Sequence, residues 1–195
     1  MSRTFIFILS LIVVCGCKQQ SYTSAAGAAV ADSQVILNVP LIAQQTDQWC
    51  WAASAEMIMT YHQFPVSQCE QANVRLKLKA CCNDPIPMDC VQPGWPEYDS
   101  FNFEFFTTEW GNALTWEELK FEINNNRPIS FAWGWRHTEN AGHMMDAVGY
   151  IENSTGRFVA IHDPWEGAAP IITYEEFVSS INYDHWVDYY GISHR

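Results

Sequence analysis

Four residues spread along the chain have the side-chain types that nucleophilic catalysis by a thiol requires. Gln44 lies six positions before Cys50, and His143 and Asp163 follow much later in the sequence. A thiol attacks as its thiolate, a histidine can carry the protons, and a carboxylate can orient the imidazole. An amide ahead of the cysteine can donate a hydrogen bond to an oxyanion. Together the four residues predict acyl-transfer chemistry, such as peptide-bond hydrolysis.

The residues after Cys50 predict a helix that holds this thiol at its N-terminal end. Residues 50–62 are rich in alanine and methionine and are apolar nearly all round, so we expect a buried central helix. The positive end of a helix dipole favours the thiolate, and the Cys50 N–H would be a second oxyanion donor. The alternative is that Cys50 is an inert buried thiol flanked by two core aromatic residues, Trp49 and Trp51.

The motif Gln44-x5-Cys50-Trp51, followed by small residues, resembles the active-site motif of papain-like cysteine peptidases. It is most similar to their small bacterial branch, which includes the staphopains, avirulence proteases of plant pathogens and, more distantly, bacteriocin leader peptidases. The resemblance implies an α+β, papain-like fold in which a helical lobe packs against a small antiparallel β-barrel-like lobe, with the active site in the cleft between them. It implies a mechanism without a cofactor or metal.

The resemblance extends to the partners of the cysteine. The segment 142–150 resembles the family's Gly-His strand that ends in Gly-Tyr, which makes His143 the expected base and His162 its competitor. The bacterial branch often places its orienting aspartate before a proline, as Asp163 stands here. Strands joined by a hairpin are neighbours, so these two side chains could meet. The alternative role for Asp163-Pro164 is to start a turn. Asp146, where the family usually has an aliphatic residue, should face away from His143.

The first 34 residues predict export and tethering. A basic residue, a short apolar run and small residues describe a signal peptide over 1–16, and the run is too short to span a membrane as a helix. Residues 14–17 resemble a lipobox, which implies a lipid on Cys17, a flexible tether over 17–34 and a folded domain over 35–195. We therefore expect a cell-envelope lipoprotein, in the outer membrane if the cell is Gram-negative. The alternative is an ordinary cleaved signal and a secreted protein.

Four further cysteines lie close together, as expected for disulfides in an exported chain: Cys69, Cys81, Cys82 and Cys90. A bond between the adjacent Cys81 and Cys82 would be strained, so each should pair with Cys69 or Cys90. The rival interpretation is a four-thiolate zinc site, which the spacing and an oxidising compartment disfavour.

Periodicity divides the chain into helices first and strands afterwards, which indicates α+β. Capping signals at Ser67, Thr115 and Thr173 predict three further helices, of which the first runs to about residue 79. Residues 81–100, rich in proline, predict a loop. Strands are expected at 35–42, 128–135, 143–152, 157–162 and 186–190, whereas 101–106 is ambiguous between strand and helix.

Composition limits the partners. A net charge of −12 argues against nucleic acid and against peripheral binding to anionic lipid, so we expect membrane contact only through the lipid anchor. We expect a monomer that acts on a peptide or protein, with Trp51 and Trp135 contacting the substrate; their alternative role is in the core. Two other functions remain open: a binding lipoprotein for peptide or glycan with a vestigial site, and acyl transfer or amidase chemistry on peptidoglycan stems.

Overall fold

An antiparallel sheet and the helices packed on it make up the fold in the computed structural model, which describes residues 32–138 and 141–195. Within these residues the sheet has seven strands: β1 (Ser33–Ile36), β2 (Phe103–Thr107), β3 (Ile129–Trp135), β4 (Gly142–Asn153), β5 (Gly156–His162), β6 (Ile171–Thr173) and β7 (Tyr183–His194). The strand order is β2-β7-β3-β4-β5-β6. Strand β1 pairs with the second half of β4, beyond the end of β3. The predicted signal peptide, tether and lipidation site at Cys17 lie outside the described residues.

Four α-helices are described: α1 (Cys50–Tyr61), α2 (Gln68–Leu76), α3 (Trp116–Asn124) and α4 (Tyr174–Val178). Helix α1 buries eight of its twelve residues, as expected from its apolar sequence. Helices α2, α3 and α4 each begin with the predicted capping box, in which a Ser or Thr and a Glu three residues on exchange hydrogen bonds. The α+β prediction is confirmed. No helix among the described residues is long and apolar enough to cross a membrane.

Several element boundaries differ from the prediction. Helix α2 ends at Leu76 because Lys77 adopts the left-handed conformation that terminates helices. Strand β1 ends at Ile36, and the ambiguous aromatic segment forms β2, which pairs with β7. Strand β7 is longer than expected, and β6 was not predicted, because three residues carry too little periodicity to be recognised.

The proline-rich segment after α2 is a loop with two 3₁₀ turns, Met88–Cys90 and Tyr98–Phe101. Two disulfides involve this loop: Cys69–Cys82 joins it to α2, and Cys81–Cys90 closes a turn within it. This selects one of the two pairings that the sequence left open. The Cys69–Cys82 bond fixes the loop to α2.

Candidate active site

Cys50 is the first residue of α1 and is half-buried at one end of a cleft. The first N–H groups of a helix have no partner within it, so the Cys50 N–H is available to a ligand. Two hydrogen bonds from tryptophans fix this helix end to the disulfide-bonded loop. The Trp49 indole N–H donates to the Cys90 carbonyl at 2.9 Å, and that of Trp51 to the Gln92 carbonyl at 3.2 Å.

His143 lies near the start of β4, and Asp163 directly follows its hairpin partner β5. The Nε2 atom of His143 is 2.6 Å from Oδ1 of Asp163. That oxygen also accepts the backbone N–H of Trp165 at 2.9 Å, and the Asp163 backbone bonds both ways with Ala168. The aspartate is therefore held from several sides while it orients the imidazole.

The Cys50 side chain also lies near the His143 imidazole, close enough to stabilise its charged form. Because Nε2 contacts Asp163, Nδ1 is the nitrogen left for the thiol. Burial by itself would lower the pKa of His143, but hydrogen bonds and charge interactions with Asp163 and Cys50 outweigh it and raise the pKa to about 9. For Asp163 the effect of burial has the opposite sign, because burial would raise the pKa of the carboxyl. Hydrogen bonds with His143 and the Trp165 N–H nevertheless hold this pKa below its usual value. The arrangement favours an imidazolium at neutral pH.

Gln44 and Gln48 both lie in the segment that precedes α1, but they line different pockets. The Gln44 side-chain amide donates to the Thr46 carbonyl at 2.7 Å, and its backbone N–H donates to the Pro164 carbonyl at 2.8 Å. One amide N–H of Gln44 remains for another acceptor. Gln44 borders a small pocket with Trp165, whereas Gln48 lines the main cleft with Cys50. Sequence reasoning missed Gln48, although it stands only two residues before the cysteine.

The cleft beside Cys50 and His143 has a volume of about 870 Å³. Five tryptophans contribute to its lining: Trp51, Trp95, Trp135, Trp165 and Trp186. The two that sequence analysis named differ in exposure. Trp51 is 1% exposed, whereas Trp135 is 36% exposed. Trp95 and Trp186 were missed because nothing in their local sequence separates a cleft tryptophan from a core one.

Two glycines allow Trp186 to lie against the strands beside His143. A Cβ atom at Gly134 would stand 1.8 Å from the Trp186 ring, and one at Gly142 would stand 2.6 Å from it. Trp110 stacks on the same ring with centroids 5.0 Å apart. One wall of the cleft is therefore aromatic and depends on the absence of side chains at both positions.

The charges in the cleft are mostly paired within the protein. The Arg75 guanidinium lies 2.7 Å from Glu97 and packs over the Trp51 ring at 5.7 Å. Asp163 is engaged by His143, and Asp47 lies at the exposed side of the lining. No group of three or more His, Cys, Asp or Glu suited to a metal occurs in the described parts of the chain. The surface left for a ligand is mainly apolar, and the Cys50 and His143 side chains form part of it.

Comparison with known proteins gives a family and a fold. The model of the Peptidase_C39 like family matches residues 36–190. A crystal structure of a C39-like peptidase from Bacillus anthracis aligns with 84% of this chain and 100% of its own at a TM-score of 0.51 and 16% identity. A double glycine motif protease from an AMS/PCAT transporter, solved in complex with the leader peptide, aligns with 80% of this chain and 94% of its own. Its TM-score is 0.45 and its sequence identity is 18%. No curated protein sequence matches the chain.

Proposed function

The chain belongs to the Peptidase_C39 like family, which makes it a cysteine peptidase by family, and we propose that it hydrolyses internal peptide bonds with Cys50, His143 and Asp163. The observation that carries this proposal is the position of the His143 imidazole. One ring nitrogen is 2.6 Å from the Asp163 carboxylate, and the Cys50 side chain lies close enough to the same ring to stabilise its charged form. The papain-like resemblance of the motifs supports the same roles.

The reaction follows from these positions. The Cys50 thiolate attacks the carbonyl carbon of the scissile bond, and the oxyanion accepts hydrogen bonds from the Cys50 N–H and the Gln44 amide. The His143 imidazolium protonates the leaving amine, and a thioester remains on Cys50. The neutral imidazole then takes a proton from a water molecule, which attacks the thioester and releases the acid. Asp163 keeps the ring oriented and stabilises its charged form throughout.

Gln44 is the member whose assignment depends most on the resemblance. Its amide must turn one N–H toward the thiol side of α1, whereas Gln48 already lines the cleft. Loss of an oxyanion donor costs about 2.7–4 kcal/mol of transition-state stabilisation. Comparing kcat of Gln44→Ala with that of Gln48→Ala therefore identifies the donor, because only the true donor should show that loss.

The substrate we propose is an extended peptide with apolar side chains near the scissile bond. The aromatic walls offer apolar contact area, and Arg75, the guanidinium of the cleft lining, is paired with Glu97. We also propose that the protein acts as a lipid-anchored monomer at the cell envelope, from the motif ending at Cys17. A Cys17→Ala variant should then move from the membrane fraction to the soluble exported fraction.

Alkylation with iodoacetamide at mildly acidic pH tests the proposed activity. The activated pair predicts fast labelling of Cys50 that is lost in His143→Ala, together with casein hydrolysis that is lost in Cys50→Ser. Slow labelling in both wild type and His143→Ala, with peptide binding but no hydrolysis, would favour the binding lipoprotein. Thioester formation resolved only by an added amine would favour acyl transfer.

A further inference from the structure

A buried group of polar side chains connects the helix of Cys50 to the strand of His143. We call it the Asp146 cluster; its members, all 0% exposed, are Ser54, Tyr98, Ser130 and Asp146. Ser54 stands four residues, about one turn, after Cys50 on α1. Asp146 stands three residues after His143 on β4. The cluster therefore joins the two elements whose relative position decides whether thiol and imidazole can meet.

The hydrogen bonds of the cluster converge on one carboxylate oxygen. The Ser54 hydroxyl donates to Oδ1 of Asp146, and the Ser130 hydroxyl donates to the same oxygen at 2.7 Å. The Tyr98 hydroxyl lies 2.7 Å from Oγ of Ser130, at the far side of the cluster from Asp146. Asp146 is thus the shared acceptor for a helix residue and a residue of the neighbouring strand β3.

The surroundings of Asp146 favour its protonated, neutral form. Burial raises its pKa well above the usual value, although hydrogen bonds from Ser54 and Ser130 act in the opposite direction. The titratable groups that face it are Tyr98 and, directly across the strand pair on β5, His162. Burial lowers the pKa of His162, which a hydrogen bond with the Pro40 backbone partly offsets. No charged partner for Asp146 occurs among the described residues.

We propose that Asp146 is a positioning residue: through Ser54 it fixes α1 on β4 so that the Cys50 thiol and the His143 imidazole are in register. Apolar contacts hold a helix on a sheet without directional preference, whereas a hydrogen bond requires a defined distance and angle. An error of about 1 Å in placing a reacting group can cost about 10²-fold in rate. This inference rests on the proposed function and assigns Asp146 no contact with substrate.

The test compares Ser54→Ala, which removes the helix side of the connection, with Tyr98→Phe as a matched control. Each removes one buried hydroxyl from the cluster, but only the Ser54 hydroxyl belongs to α1 and bonds directly to Asp146. We expect Ser54→Ala to slow alkylation of Cys50 at about pH 5.5 by about 10-fold or more, and to lower kcat by a similar factor with KM nearly unchanged. Tyr98→Phe should lose comparable thermal stability and keep the wild-type alkylation profile.

A second pair of variants provides the conservative rescue. Asp146→Asn keeps an acceptor oxygen for Ser54 and Ser130, so its alkylation rate should stay within about threefold of wild type. Asp146→Leu keeps the volume but removes the acceptor, and should behave like Ser54→Ala; this pair decides the question even if Ser54→Ala does not fold. Equal losses in Ser54→Ala and Tyr98→Phe, or in Asp146→Asn and Asp146→Leu, would overturn the positioning role. The proposed function fails separately, if wild-type labelling of Cys50 is independent of His143.

Discussion

Two histidine–aspartate pairs in this protein have similar contacts and opposite surroundings. In the cleft pair, Nε2 of His143 is 2.6 Å from Asp163, and the side chains are 13% and 26% exposed. In the core pair, Nε2 of His185 is 2.9 Å from Asp188, and the side chains are 1% and 0% exposed. The residue types and the bonded nitrogen are the same, so the contact by itself does not indicate chemistry.

The two pairs differ in whether the second nitrogen of the histidine already has a hydrogen-bond partner in the core. In the core pair, Nδ1 of His185 already faces the Phe177 carbonyl at 2.9 Å, and the second oxygen of Asp188 accepts the Leu114 N–H at 2.6 Å. Both ring nitrogens and both carboxylate oxygens are therefore already bonded, and two of those bonds hold backbone segments in place. In the cleft pair the remaining nitrogen faces Cys50 and the cleft. A histidine–aspartate pair is therefore a candidate for catalysis when one nitrogen stays free and substrate can reach it.

The largest expected effect is on the cleft pair. His143→Ala should lower kcat/KM for peptide hydrolysis by about 10²- to 10⁴-fold, because the proton carrier is lost. The control is His162→Ala on β5, which removes the competing histidine and should keep Cys50 alkylation at the wild-type rate. Equal losses of alkylation in the two variants would break the comparison, since the base would then not be His143 alone.

Breaking the core pair should lower the free energy of unfolding rather than the activity. Asp188→Ala leaves His185 and the Leu114 N–H without their buried partner, and should lower the free energy of unfolding by about 3–5 kcal/mol. The matched control is Asp184→Ala on the same strand, whose exposed pair with Arg136 should cost about 0–1 kcal/mol. Urea denaturation measures both. The folded fraction of Asp188→Ala should still be alkylated at Cys50 as in wild type; a selective loss of that labelling would contradict the distinction.

The pH profile should sharpen the comparison. The pKa of His143 is raised, so the imidazolium and the stability it contributes are fully present below about 6.5 and lost as pH rises through about 9. Asp163→Ala removes a hydrogen bond and a charge that raise this pKa, so the basic limb of kcat/KM should move down by about one to three pH units. Asp163→Asn, which keeps an acceptor but not the charge, should fall between. An unchanged limb in Asp163→Ala would show that this carboxylate does not set the pKa of His143.

The smallest expected effect is that of removing the Trp165 ring, which partly shields the cleft pair from solvent. The Trp165 side chain is 56% exposed and presents its ring edge-on to His143, with centroids 6.5 Å apart. Trp165→Ala keeps the backbone N–H that Asp163 accepts and removes only the ring. We expect kcat/KM to fall by about 2- to 10-fold, the range of a single aromatic contact. A loss as large as that of His143→Ala would mean that the ring does more than shield the pair.

Sequence patterns predicted the elements that carry the candidate site because their signals lie between near neighbours. The three capping boxes fixed where α2, α3 and α4 begin, and apolar composition indicated the buried helix that starts at Cys50. A hairpin of twenty residues was enough to expect His143 beside Asp163. The predicted end of α2, at about residue 79, was wrong because Lys77 adopts the left-handed conformation without the glycine that usually marks it in a sequence.

Other features could not be read from the sequence because they depend on how distant elements pack. Nothing near Asp188 distinguishes its pairing with His185 from a catalytic one, and Trp186 becomes a cleft residue only where β3 and β4 lie beneath it. Asp146 was expected to face away from His143. Its connection to α1 emerges only when residues 92 positions apart come into contact.

By itself, the sequence determined local geometry: which segments are helix or strand, that a thiol begins a helix, and that two strands form a hairpin behind His143. Hydrogen bonds and side-chain contacts within a few residues of one another are sufficient for that. The tertiary structure decided which cysteines pair, which tryptophans line the cleft, and which of two histidine–aspartate pairs keeps a nitrogen for a thiol. Those outcomes depend on solvent access and on contacts between separate elements, and neither exists until the helices have packed on the sheet.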